Sequence, residues 1–201
     1  MRSLPFRSAE DLERAVRALQ PILADGGVVV LPTETFYGLA GIPWQAAAVA
    51  RILAMKGRPP NLALPVLCAG WDQVERLAVV PAEHRRRLER LWPGPLTAVL
   101  RCRPGVAASA GGTIAVRIPG LPLLRALLEG VGPLTGTSAN RHGHPPATEM
   151  APAVASLLEP PDLALDGGVT TGGPASTVVD LVSGGRVLRP GPVRWAAEGG
   201  P

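Results

Sequence analysis

Lysine is almost absent from this chain. Of its 20 Lys and Arg residues only Lys56 is a lysine. Arginine serves everywhere else, which marks Lys56 as a place where a compact ammonium with rotatable donors is wanted rather than a planar fork. Tyr37 is likewise the only tyrosine, and aromatics make up 3% of the chain. That is too few for the stacking platforms on which RNA-binding modules lay unpaired bases. Cysteine is confined to Cys68 and Cys102. Two thiols with no CxxC and no neighbouring His cluster argue against a zinc site and a disulfide framework. The histidines are His84, His142 and His144. The latter two flank a glycine and read as loop residues rather than metal ligands. No apolar run reaches membrane-spanning length and the N-terminus has no long apolar core, so the expectation is a cytoplasmic protein with no membrane contact. The phosphate and hydrolase signatures are missing as well. There is no GxxxxGK followed by Ser or Thr, no GxGxxG after a strand, no HExxH and no GxSxG. Any phosphate would have to be held by side chains and irregular turns.

What is present fits a folded protein: 201 residues, 46% hydrophobic and 18% charged, with 24 Gly and 23 Pro spread along the chain as punctuation. The formal charge of +4 biases it mildly towards anionic partners. The densest basic cluster, Arg85-Arg86-Arg87 with Arg90, reads as the solvated face of a helix.

The chemistry gathers after Val28-Val29-Val30-Leu31, an apolar run bounded by Gly26-Gly27 and Pro32 that reads as a buried strand. Thr33, Glu34, Thr35 and Tyr37 follow at once, and Gly38 lets the backbone bend or approach a ligand. On an extended segment, residues two apart share a side, so Thr33, Thr35 and Tyr37 are expected to present their hydroxyls together. Elsewhere, Ser8 with Asp11 forms a capping-box pattern that starts a helix through Leu23, with Leu12, Ala15, Val16, Leu19 and Ile22 facing the core. The spacing predicts helices over 44–55, 71–77, 82–91, 121–128 and 150–158. Strands are expected over 62–67, 96–101, 113–118, 134–137 and 163–165. A late hairpin, 177–182 with 186–188, turns at Ser183-Gly184-Gly185. Parallel crossovers early and hairpins late predict one mixed sheet with helices packed on it. The tail 196–201 is expected to be disordered.

Polar groups recur at strand ends and turns. Lys56 with Arg58, Thr113 with Arg117, Ser138 with Asn140, and Ser176 with Arg189 together supply four cations and many donors. That inventory suits an anion-binding concavity, and with no His or Cys nucleophile it suits substrate positioning and charge neutralisation, as in phosphoryl or nucleotidyl transfer.

Taken in order, PTETFYGLA, KGRP, WPGPLT, TIAVRIP, TSANRHGHPPAT, STVVD and LRPG resemble the YrdC-like family of threonylcarbamoyl-AMP synthases. The resemblance runs from about Gly26 to Pro192. It implies an α/β fold with a twisted, open mixed sheet, flanking helices and a basic concave cavity. It also implies a nucleotidyltransferase. L-threonine, bicarbonate and ATP, the last with Mg²⁺, would give threonylcarbamoyl-AMP and pyrophosphate. A downstream tRNA threonylcarbamoyltransferase complex would take the adenylate for threonylcarbamoyladenosine modification of tRNA, and a weak tRNA contact is compatible with the basic cavity. By resemblance Thr35, Tyr37, Arg117, Ser138 and Ser176 would bind L-threonine. Lys56, Arg58, Thr113, Asn140, Thr148 and Arg189 would bind ATP, with Lys56 and Arg58 also serving the reacting phosphates. No residue is assigned to a metal. Leu62 and Leu67 replace an Asn and a His of the family pattern, so those contacts do not carry over. The expected organisation is a single domain over 1–201, its motif-bearing part spanning 8–194. Two other readings remain open at this point: a YrdC-like RNA-binding module, and a relative that forms carbamoyl-adenylate from carbamoyl phosphate.

Overall fold

Ser8 caps the first helix as its spacing requires: its hydroxyl accepts from the Asp11 amide while the Asp11 carboxylate accepts from the Ser8 amide. In the computed structural model, which describes residues 2–60 and 62–195, strand β1 (Arg2–Pro5) precedes helix α1 (Ala9–Ala24). Next come β2 (Val29–Pro32), β3 (Tyr37–Ala40), α2 (Ala46–Lys56) and β4 (Val66–Leu67). The middle of the chain gives α3 (Trp71–Leu77), β5 (Ala78–Val79), α4 (Ala82–Leu91), β6 (Leu96–Cys102), β7 (Thr113–Arg117) and α5 (Pro122–Val131). The remainder forms β8 (Leu134–Thr135), β9 (Thr137–Ser138), α6 (Met150–Ala155), β10 (Leu163–Asp166), β11 (Thr177–Asp180) and β12 (Arg186–Arg189). The expectation for 196–201 lies outside the described residues.

Two mixed sheets result. The first runs β1-β10-β2-β3-β9; the second runs β12-β11-β6-β7-β4-β8, with β5 added on β6. The α/β class and flanking helices are as expected, but the pairing corrects two details. The first neighbours along the chain, β2 and β3, are antiparallel. Parallel pairs instead join distant segments: β1 with β10, β10 with β2, β11 with β6, and β4 with β7. The late hairpin forms as read, β11 antiparallel to β12. The strand expected over 62–67 is reduced to Val66–Leu67.

The segment 134–137 breaks at Gly136. β8 pairs with β4 in the second sheet, while β9 pairs with β3 in the first. A Cβ at Gly136 would run into the Leu67 side chain. Only glycine lets the chain pass from sheet to sheet so closely.

The run Val28–Leu31 is apolar throughout because both of its faces are covered. Val28 and Val30 pack with Tyr37, Leu39, Ile52 and Val116 in the larger core. Val29 and Leu31 point the other way, onto Leu19 and Leu23 of α1 and Leu124, Leu127 and Leu128 of α5. Period-two alternation thus ties one short strand to two cores. Helix α2 ends on Gly57, whose left-handed conformation (φ 62°) turns the chain towards Arg58.

Candidate active site

The ends of both sheets meet around a polar cavity of about 480 Å³. Thr35, Tyr37, Arg58, Arg117, Ser138, Asn140, Ser176 and Arg189 all line it, so eight of the eleven residues expected at the site come together. Lys56, Thr113 and Thr148 do not line it. No Asp or Glu is among its lining residues. A neighbouring hollow of about 600 Å³ shares Arg58 but, Ser109 apart, is walled by apolar groups such as Ala50, Leu53, Leu62, Ala107 and Ala110. It is larger yet has little to do chemistry with, so the polar cavity is the candidate.

The Thr33–Phe36 segment is a turn and not the extended strand end expected from its spacing. The Thr33 hydroxyl donates to Phe36 O at 2.6 Å and accepts from Phe36 N at 3.3 Å. The Thr33 and Thr35 hydroxyls still lie 3.4 Å apart. Tyr37 departs from them. Its hydroxyl donates to Gly168 O at 2.6 Å and accepts from Gly167 N at 3.0 Å. Burial pushes that phenol above its usual range. Tyr37 shapes the wall with its ring while its polar end is spent on the 167–168 turn.

Lys56, 1% exposed, sits behind the cavity at the end of α2. Its Nζ donates to the carbonyls of Ser138 and of Asn140, the latter at 2.8 Å. Burial, with the nearby Arg58 charge, lowers its pKa to about 8. This ammonium therefore holds the turn that carries Ser138 and Asn140, a task for several rotatable donors on one atom. Asn140 donates through Nδ2 to Arg141 O at 2.9 Å and His144 O at 2.6 Å. Its Oδ1 and the Nε of Arg58 are buried without a protein partner among the described residues, as groups awaiting a ligand or water would be.

Arg117, at the end of β7, is 7% exposed. Its Nε donates to Gly94 O at 3.0 Å, and its Nη2 pairs with Glu34 at 2.5 Å. Burial lowers its pKa, Glu34 opposes that, and the Arg189 charge adds to it. Arg189 binds Ser176 three times, its Nε and Nη2 donating to the carbonyl at 3.1 and 2.9 Å and its Nη2 also to the hydroxyl at 3.1 Å. The Ser176 hydroxyl also meets Thr97 Oγ1 at 2.9 Å. Thr113 shares the β7 face with Ala115 and Arg117, but its hydroxyl is taken by Ala110 O at 3.0 Å. Thr148 offers its carbonyl to Thr170 N at 2.9 Å. Leu67 lines the cavity as an apolar wall.

Sequence reasoning gives no role to Glu34 or Thr97. Thr97 stands inside the quoted WPGPLT segment, on the strand face that alternation turns towards Ser176. For Glu34 the only signal is an acid placed among hydroxyls in a chain whose other candidate groups are cationic.

The Sua5/YciO/YrdC family model, described as telomere recombination, matches residues 21–191. The chain belongs to this family. It is 35% identical over 189 residues to a putative threonylcarbamoyl-AMP synthase of Mycobacterium tuberculosis, covering 92% of this chain and 87% of the relative. With the threonylcarbamoyl-AMP synthase of Chromohalobacter salexigens it shares 37% identity over 188 residues, covering 90% and 98%. Among solved structures, Pyrococcus abyssi Sua5 complexed with L-threonine superimposes with a TM-score of 0.85 at 33% identity, over 95% of this chain and 58% of that one. Escherichia coli YciO does so with 0.80 at 25% identity over 94% of each. The chain thus spans under two thirds of the Pyrococcus protein and nearly all of the YciO structure. Full-length HypF, 20% identical with a TM-score of 0.73, shares the fold alone.

Proposed function

We propose that the cavity is the site of a threonylcarbamoyl-AMP synthase, a nucleotidyltransferase. The observation that carries this reading is the convergence of Thr35, Arg58, Arg117, Ser138 and Arg189, spread over more than 150 positions, on one hollow. Relatives of similar length bear that activity in their names, and the Pyrococcus abyssi Sua5 structure holds L-threonine.

In this reading the Arg117 guanidinium takes the threonine carboxylate, with Thr35, Ser138 and Ser176 around the rest of the amino acid. Threonine and bicarbonate condense to the N-carboxylate with loss of water. Its anionic oxygen attacks the α-phosphorus of ATP, forming the O–P bond as the bond to pyrophosphate breaks. A nucleophile already charged needs little base catalysis, in keeping with a site that has no carboxylate lining it. The protein's task is to hold two anions together, which Arg58 and Arg189 support by neutralising phosphate charge. Asn140 offers its free Oδ1 to the nucleotide. Lys56, Thr113 and Thr148 act from behind, by fixing the segments that line the cavity.

The lining gives a resident Mg²⁺ no carboxylate, and no cluster of metal-ligating side chains occurs among the described residues. Any Mg²⁺ would accordingly come with ATP as part of the substrate, where it would help neutralise phosphate charge. The product is an activated mixed anhydride, and in this reading a tRNA-modifying transferase consumes it. ATP and tRNA as ultimate partners fit a cytoplasmic setting, and no helix among the described residues is long and apolar enough to cross a membrane.

Pyrophosphate release, measured with threonine, with serine and without amino acid, each with and without bicarbonate, tests the proposal. Release that needs both threonine and bicarbonate is expected. Release indifferent to either, or none at all, would sink it.

A further inference from the structure

Glu34 has no part in the chemistry above, yet it is the carboxylate that pairs with a cation of the cavity. Its Oε1 accepts from Arg117 Nη2 at 2.5 Å and from the Gly120 amide at 2.8 Å. Arg117 is tied a second time by its Nε to Gly94 O at 3.0 Å. Two bonds from different nitrogens fix the plane of a guanidinium and leave its Nη1 without a partner among the described residues. Glu34 does not line the cavity, so it holds Arg117 from behind. Its Oε2 is buried with no hydrogen-bond donor among the described residues.

The electrostatic consequence concerns selectivity. Arg58, Arg117 and Arg189 line the cavity, and no carboxylate does. Bare cations at low dielectric attract polyanions more strongly than a single carboxylate. A fixed negative charge behind one arginine weakens its long-range pull while keeping directional N–H donors for a carboxylate that fits.

We propose that Glu34 is the positioning and selectivity residue of the amino-acid subsite: it orients Arg117 and, as its counter-charge, keeps small inorganic anions from taking the place of the substrate carboxylate. The inference rests on the amino-acid subsite proposed above.

Three variants of the full chain separate the two parts of this role. Glu34→Gln keeps an oxygen acceptor for Arg117 and Gly120 but removes the charge. Glu34→Ala removes both, and Glu34→Asp keeps the charge at shorter reach. Sulfate is the probe, its binding measured by calorimetry, alongside KM and kcat for threonine. E34Q should bind sulfate at least on the order of tenfold more tightly than the parent, since the loss of one unit charge beside the arginine is worth about that much to a dianion even at a water-like dielectric of about 80. Its kcat at saturating threonine, without sulfate, should stay within about threefold, since the geometry is kept. E34A should raise the threonine KM by on the order of tenfold or more with kcat little changed, because the guanidinium is no longer oriented. E34D should recover part of that loss.

Equal sulfate affinity in E34Q and the parent would overturn the proposal. So would a collapse of kcat with KM unchanged, which would place Glu34 in the chemistry, or failure of E34Q to fold, which would make it a structural brace. The sulfate comparison does not depend on which amino acid is the substrate. A parent protein inactive with threonine would refute the synthase reading, and sulfate binding would still decide whether Glu34 acts as the counter-charge.

Discussion

Lys56 offers a direct measurement, because it is the only lysine. Its Nζ is buried, two carbonyls accept from it, and burial with Arg58 nearby brings its pKa from 10.5 to about 8. At about 1.36 kcal/mol per pKa unit, that gap is a penalty of roughly 3 kcal/mol on the charged form in the folded state. The sign follows from proton counting. Between about pH 8 and about pH 10.5 the unfolded chain holds the extra proton, so stability rises with pH across that window on this group's account. Below about pH 8 the penalty is present in full. Protein labelled with ¹³C,¹⁵N-lysine gives one side-chain spin system, whose Cε shift can be followed from about pH 6 to about pH 11. A midpoint near 8 is expected in the folded protein, moving to the ordinary lysine value in urea. Lys56→Met separates stability from function. It relieves a buried charge of roughly 3 kcal/mol, and takes from Asn140 O its Lys56 donor at about 1–3 kcal/mol, while Ser138 O keeps the Asn140 amide at 3.0 Å. Net stability should therefore change little while the Ser138–Asn140 turn shifts and activity falls. A folded-state midpoint equal to the urea value would refute the reasoning, for it would mean a solvated ammonium and a turn held by something else.

Arg117→Ala should raise the threonine requirement by roughly 10- to 100-fold, the worth of a charge-assisted bond of about 1.5–3 kcal/mol; Arg117→Lys should restore only part of it, having the charge but not the fork. Threonine titration by calorimetry checks both, and unchanged affinity in Arg117→Ala would refute the assignment. Gly136→Ala forces a Cβ into Leu67 and should cost about 1–3 kcal/mol. Thermal melts should read this as a midpoint lower by several degrees, with Leu67→Ala in the same chain giving back part of the loss.

Local signals in this chain are legible and long-range ones are not. The Ser8 capping box, the helices 71–77 and 82–91 and the Gly184-Gly185 hairpin each depend on neighbours a few residues away, and each forms where its pattern stands. Strands of two residues carry no period to detect, which is why Ala78–Val79 leaves no signal and 134–137 reads as one piece. Strand Arg2–Pro5 owes its existence to a partner at Leu163–Asp166, far beyond any window of pattern. The site shows the same division. Arg58, Arg117, Ser138 and Arg189 stand out because ordered motifs carry them. That Lys56 reaches carbonyls instead of the cavity, and that Glu34 meets Arg117 across 83 positions, are facts of packing with no trace in spacing.

The position of the cavity explains why its residues are so scattered. Gly38 and Thr137 come from the first sheet, and Thr97, Ala115, Arg117 and Val178 from the second, so the hollow lies where the ends of two sheets approach. Gly136 is the step between them, and its lack of a side chain allows the close approach over Leu67. The same seam concentrates charge. Burial lowers the pKa of both Arg117 and Arg189, and the Arg189 charge adds to the effect on Arg117, with one acid behind it. Such a site is electrostatically incomplete without an anion, and it is the bonds of Arg117 to Gly94 O and Glu34, and of Arg189 to Ser176, that keep these two arginines from swinging away to solvent. The binding free energy of an anionic ligand is then available for alignment, because the cost of assembling the cations has already been met in folding.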